Sequence, residues 1–184
     1  IMAGYNVMSE EISNQLEKEE MPTHIFLQGG VGSFPAAICS YFWEKYHENN
    51  IKFIVVESEH APCLIKSAKE SQMVSVAIKK ETMMAGLSCG KPSLLGWNIL
   101  EKGADDFVTI SDQPIPLLMR LLADNNPPIE AGESSVAGLA ALIEITKSPQ
   151  IAEKIGLNSE SIILLFGTEG ATDPEIYNSI IQAN

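Results

Sequence analysis

At 184 residues and 45% hydrophobic content, the sequence has the size and composition of one folded domain with a sizeable core. A net charge of −12 creates a field that repels nucleic acid and anionic membrane surfaces, which excludes both as partners. No apolar run approaches the roughly 20 residues of a membrane span, and no basic segment followed by an apolar one opens the chain, so the expected location is the cytoplasm.

Tyr5, Met8, Ile12 and Leu16 recur at helical spacing and predict a first helix over about residues 2–18. A core-facing helix that opens at Ile1, with no initiator methionine, implies a segment upstream. The expectation is therefore a single α/β domain over 1–184 that forms part of a longer protein. Beyond Pro22 the chain alternates short apolar runs with amphipathic stretches. The runs are His24 to Gln28, Lys52 to Glu57, Val74 to Ile78, Asp106 to Ile110 and Ser161 to Phe166. "FIVV" and "IILLF" are continuously apolar, as strands buried on both faces of a parallel sheet are.

Helical patterns fill the intervals: Ser33 to His47, His60 to Lys69, Leu94 to Lys102, Asp112 to Ala123 and Ser134 to Lys147, the last capped by Ser134 or Ser135. Asp173 and Pro174 read as N-cap and first position of a closing helix. Strand-helix alternation of this kind specifies an α/β fold, a three-layer parallel sheet with helices on both faces. Ligands of such sheets bind beyond the carboxyl ends of the strands. That rule selects "QGGVGS", "ESEHAPC", "SDQP" and "GTEGATD".

Gly29, Gly30 and Gly32 stand between a strand and a helix whose first turn includes Ser33. Missing Cβ atoms let a ligand approach the backbone, and the helix start offers free N–H groups and partial positive charge. Three glycines with a serine favour a phosphate cradle over a ligand-free tight turn. The usual nucleotide signatures do not fit: G-x-G-x-x-G begun at Gly30 fails at Pro35, a P-loop at Lys91 fails at Pro92, and "GESSV" lacks the second glycine of a hydrolase elbow.

"LQGGVGS" resembles the phosphate loop of the fold-type-II, tryptophan-synthase β-like pyridoxal-phosphate enzymes. Together with "VVESEHAPC", "MMAGLSCGKPSLLGWNIL", "EAGESSVAGLAAL" and "GTEGATD" it resembles the C-terminal half of the diaminopropionate ammonia-lyase family. The resemblance implies a tryptophan-synthase β-like cofactor domain with pyridoxal 5'-phosphate as cofactor. Its phosphate would be held by Gly29, Gly30, Val31, Gly32 and Ser33, with Thr168 at the ring nitrogen and Glu133 and Ser134 at the cofactor edge or substrate. It implies elimination of an amino-acid substrate, 2,3-diaminopropionate, to pyruvate and ammonia. It also places the Schiff-base lysine and the general base upstream, so no catalytic residue is assigned here. None of the eleven lysines has the expected context, and Lys91 reads as solvated.

The alternative reading is a non-catalytic module derived from this fold that binds a phosphate ester or a protein. Severed from its N-terminal domain, such a chain would expose apolar surface and form a homodimer or bind a partner. A third reading is an acidic domain without a ligand. Among the remaining residues, Glu57, Glu59, His60 and Cys63 lack metal-site spacing, so no metal is expected. His24 and His47 read as structural or solvated, and Asp105, Asp106 and Asp112 as cap or turn residues. Met83 and Met84 read as core filler, and Trp43 and Trp97 as core or dimer face. Cys39 belongs to a helix core, while Cys63 and Cys89 are close enough to loops to pair as a minor possibility.

Overall fold

The computed structural model describes residues 2–16 and 21–183. Four strands, β1 (His24–Gln28), β2 (Lys52–Ser58), β3 (Asp106–Ile110) and β4 (Ile163–Leu165), form one parallel sheet in the order β3-β2-β1-β4. Alternation along the central pair sorts side chains to two faces. Phe26, Ile54 and Val56 enter one core, and Ile25, Leu27, Phe53 and Val55 enter the other.

Helices cover both faces, as the three-layer reading requires. One layer packs α1 (Met2–Gln15), α2 (Ser33–Lys45), α3 (Cys63–Glu70) and α4 (Leu94–Gly103) against the second core. The other packs α5 (Ile115–Ala123), α6 (Ala137–Thr146), α7 (Pro149–Ile155) and α8 (Pro174–Ile181) against the first. The sequence-predicted end of α1 at residues 17 and 18, like Ile1, lies outside the described residues. Asp173 caps α8 as expected, its Oδ1 accepting from the N–H groups of Glu175 and Ile176 at 3.0 Å each.

Two expectations need correction, a third is met in one of its two forms, and one helix lies outside the predicted elements. Val74 to Ile78 is irregular and belongs to no ladder. The Val74 N–H donates to Ser67 Oγ (2.9 Å) and the Val76 N–H to the Gly90 carbonyl (2.7 Å), which tie the segment to α3 and an irregular loop. Neither Ser134 nor Ser135 caps α6, whose N-cap position is Val136 without a side-chain bond. Asp112, expected as a cap or turn residue, is a turn residue: its carbonyl accepts from the Ile115 N–H at 3.2 Å, while its carboxylate accepts from the Met83 N–H (3.1 Å) and the Thr82 hydroxyl rather than capping α5. The helix α7 is not among the predicted elements, although Pro149 opens it and Gly156 closes it at φ 87°.

The strand order turns back between β1 and β4, since β2 and β3 lie to one side of β1 and β4 to the other. Ligands of open parallel sheets lodge at such a reversal. On the outer layer α4 leans directly on the β1–α2 loop: a Cβ on Gly96 would stand 2.9 Å from the carbonyl carbon and oxygen of Gly32. Gly96→Ala therefore has to move backbone, with an expected loss of about 1–3 kcal/mol in urea unfolding. Gly4→Ala, on the open face of α1 where nothing lies within 4 Å, should instead gain up to about 1 kcal/mol. Equal effects of the two substitutions would contradict this packing.

Candidate functional site

At the strand-order reversal, the β1–α2 loop, the turn at Ala85–Leu87 and the loop after β4 enclose a cleft of about 260 Å³. Gly30, Val31, Gly32, Ser33, Ser134 and Thr168 all line it. Four residues of the glycine loop and Ser134, all predicted from sequence, thus meet Thr168, which lies more than a hundred residues beyond that loop in the chain. Tyr5 of α1 closes one side by packing edge-on against Phe34, with ring centroids 5.3 Å apart, and Phe34 stacks similarly on Phe166. A second depression, beside Trp43, His47 and Lys102, sits at the amino ends of the strands and gathers no glycine loop.

Within the β1–α2 loop the glycines serve the protein's own packing as well as the cleft. A Cβ on Gly30 would meet the Gly86 carbonyl oxygen at 2.7 Å, and Gly32 sits at φ +91° as the N-cap of α2. No side chain caps that helix, and among the described residues no acceptor takes the N–H groups of Gly30, Gly32 and Ser33. Gly29 differs from its neighbours. Its N–H is spent on the Val56 carbonyl at 2.7 Å, and it is not part of the cleft wall.

Two loops are interlocked on the opposite wall. The Ser135 hydroxyl donates to the Glu169 carbonyl and accepts from the Glu169 N–H, both at 2.6 Å. The Glu169 carboxylate accepts from the Ser134 N–H at 2.6 Å, and Gly132 N–H donates to the Glu169 carbonyl at 2.9 Å. From beneath, the Gln28 amide nitrogen lies 3.0 Å from both the Phe166 carbonyl oxygen and Thr168 Oγ1. Among the described residues two buried side-chain polar atoms remain without partners, Gln28 Oε1 and Ser134 Oγ. Glu133 is half-buried and stands off the cleft wall.

A profile of the family described as "Pyridoxal-phosphate dependent enzyme" matches residues 1–166. The chain belongs to the pyridoxal-phosphate-dependent enzyme family. It is 36% identical over 188 residues to diaminopropionate ammonia-lyase of Escherichia coli, covering 98% of this chain and 47% of that protein. A crystal structure of the Escherichia coli enzyme, solved with an aminoacrylate–pyridoxal-phosphate intermediate, superposes with a TM-score of 0.87 at 34% identity, over 98% of this chain and 48% of that one. Maize serine racemase shares the fold, with a TM-score of 0.74 at 18% identity over 97% and 51%. The chain spans about half the length of the relatives it matches.

The cofactor of this pyridoxal-phosphate-dependent family is one that the cleft's residues fit. Free N–H groups at an uncapped helix start suit a phosphate, while the orphaned Ser134 Oγ and the Thr168 hydroxyl offer polar contacts beyond it. Sequence reading passed over Gln28, Glu169 and Gly96. Gln28 reads as the end of an apolar strand, although a glutamine on a doubly buried strand is itself a signal. Glu169 was visible only as part of a motif.

Other candidate residues have structural roles. His24 is buried, with Nε2 3.1 Å from the Ile155 carbonyl and Nδ1 2.8 Å from the Thr23 hydroxyl. Met84 and Trp97 are core residues, while Trp43 and Lys91 face solvent. Among the described residues no three metal-ligating side chains come together. Cys63 and Cys89 are free thiols rather than a disulfide. They flank Gly30, the Cys63 thiol donating to its carbonyl at 3.6 Å, and burial pushes Cys63 up to about 12.

Glu57, at the end of β2, is fully buried and accepts from the Leu64 and Ile65 N–H groups at 2.8 and 2.7 Å, holding the start of α3 under the glycine loop. Burial pushes its carboxyl up to about 7 from 4.5, against the pull of those N–H groups. Below 4.5 it is protonated whether folded or unfolded. Between the two values only the folded chain keeps the proton, so stability falls as pH rises through 7 and then levels, by on the order of 3 kcal/mol. Urea midpoints of the parent should therefore drop more between about pH 5 and about pH 8 than those of Glu57→Gln. Parallel profiles would contradict the assignment.

Proposed function

We propose that this chain is the cofactor-binding, C-terminal part of a diaminopropionate ammonia-lyase. The observation that carries the reading is the convergence of the uncapped α2 start, Ser134 and Thr168 on one cleft at the strand-order reversal. N–H groups of Gly30, Val31, Gly32 and Ser33 bind the phosphate, and the dipole of α2 favours its charge. Gly29 serves as the end of the strand. Thr168 meets the ring nitrogen, while Ser134 Oγ contacts the cofactor edge or substrate and Glu133 stands behind it. Tyr5 and Phe34 exclude water from one side of the cleft. When bound, pyridoxal phosphate supplies the electron sink for removal of the α-proton and loss of the β-amino group, taking 2,3-diaminopropionate and water to pyruvate and two ammonia molecules.

A segment outside this chain supplies the Schiff-base lysine and the general base. No lysine lines the cleft among the described residues, and the chain covers 47% of its curated relative. The full enzyme is a cytoplasmic homodimer. Three free thiols suit a reducing compartment, and Leu117 and Leu121 on α5 are more than half exposed, as an interface would use them.

One surface feature is equally compatible with the non-catalytic reading. Val31 on the cleft wall and Leu94 and Leu95 at the start of α4 are exposed, and the Ser93 N–H donates to the Val31 carbonyl at 2.7 Å. A partner protein would cover those apolar side chains as well as a catalytic domain would. The test is the complete gene product incubated with 2,3-diaminopropionate. A visible cofactor band, with ammonia and pyruvate released two to one, supports the lyase. Cofactor binding without ammonia leaves the binding module, and absence of cofactor binding refutes the lyase and leaves only a module for another ligand or a protein.

A further inference from the structure

We propose that Gln28 is a positioning residue that orients the Thr168 hydroxyl as a hydrogen-bond donor toward the cofactor's ring nitrogen, so that this nitrogen is held unprotonated. The inference rests on the proposed placement of Thr168 at the ring.

Gln28 is the last residue of β1, only 4% exposed, and its side chain spans from β1 to the loop after β4. A carbonyl oxygen only accepts, so the group facing the Phe166 carbonyl at 3.0 Å has to be the amide's NH2, which fixes the orientation of the amide. The same nitrogen is 3.0 Å from Thr168 Oγ1, so its second N–H is donated there and the threonine oxygen accepts. A hydroxyl that accepts from the strand side has its one proton left for another direction. Among the described residues no acceptor takes that proton.

The arrangement has a visible cost. Turning the nitrogen to these two oxygens leaves Gln28 Oε1 buried without a partner, which is unfavourable. A leucine would fill this strand position without that cost. A ring nitrogen carrying a proton would set two protons against each other at the Thr168 hydroxyl. It would also need a carboxylate opposite, and the titratable side chains lining the cleft do not provide one. These are Tyr5, Cys89 and Glu169, and the Glu169 carboxylate is turned to the Ser134 N–H. The neutral Gln28 thus acts through Thr168 on the strength of the electron sink, without touching the ring.

The test uses the complete gene product loaded with pyridoxal 5'-phosphate labelled with nitrogen-15 in the ring, read by nitrogen NMR at neutral pH. The parent is expected to give a pyridine-like resonance. In Gln28→Glu the carboxylate accepts the Thr168 proton, the hydroxyl then offers only lone pairs, and the resonance should shift to the pyridinium position. In a Thr168→Val background the same substitution should leave the resonance unmoved. If Gln28→Glu does not fold, Gln28→Met should raise the pH at which the ring nitrogen titrates.

A pyridinium resonance in the parent would overturn the inference while leaving the proposed function standing. So would a Gln28→Glu shift that persists without Thr168, or an unchanged titration in Gln28→Met. If the parent binds no cofactor, the proposed function falls and the inference with it.

Discussion

The tie between the end of β1 and the loop after β4 is what makes a site out of this sheet. These strands are neighbours, yet 134 residues separate the end of one from the start of the other. Gln28 reaches across beneath the loop to Phe166 and Thr168, while Ser135 and Glu169 exchange bonds above it. Each contact alone is an ordinary hydrogen bond, worth about 1 kcal/mol. Acting from opposite sides they leave the Thr168 main chain little freedom, so its hydroxyl is presented in one place. Rigid support of this kind is what lets a loop residue work as a precise contact.

The glycine loop has a second meaning beside its first. Gly30 is required by the Gly86 carbonyl and Gly32 by its left-handed backbone, so both would be glycines in a loop that bound nothing. What points to a ligand is the set of N–H groups left over once that packing is satisfied, on a helix that no side chain caps. Gly96 and Glu57 hold the loop from behind, one by letting α4 approach and the other by anchoring the start of α3. The loop is pre-formed by contacts that have no part in holding an anion.

Much of this was legible in the sequence. Continuous apolar runs such as "FIVV" gave the central strands, because burial on both faces leaves no polar alternation. The rule that ligands sit beyond strand ends selected two of the segments that form the cleft, the β1–α2 loop and the loop after β4, but not the Ala85–Leu87 turn or the loop of Ser134. Where the reading went astray, local pattern met a tertiary competitor. Val74 to Ile78 alternates like a strand, but Ser67 and Gly90 take its backbone bonds. Ser134 and Ser135 have the chemistry of caps, yet Glu169 engages Ser135, and no local pattern reveals a partner 34 residues away. Gln28 could have been found, since a polar side chain at the end of a doubly buried strand has to bond to something. Its partner, Thr168, could not.

The central claim is that the backbone N–H groups at the start of α2 hold the cofactor phosphate. Residue-resolved amide hydrogen exchange on the complete gene product, with and without pyridoxal 5'-phosphate, tests it most directly. The account predicts that exchange at Gly30, Gly32 and Ser33 slows strongly on binding, while Gly29, already bonded to Val56, changes little. Binding that leaves those three amides exchanging as before would contradict it.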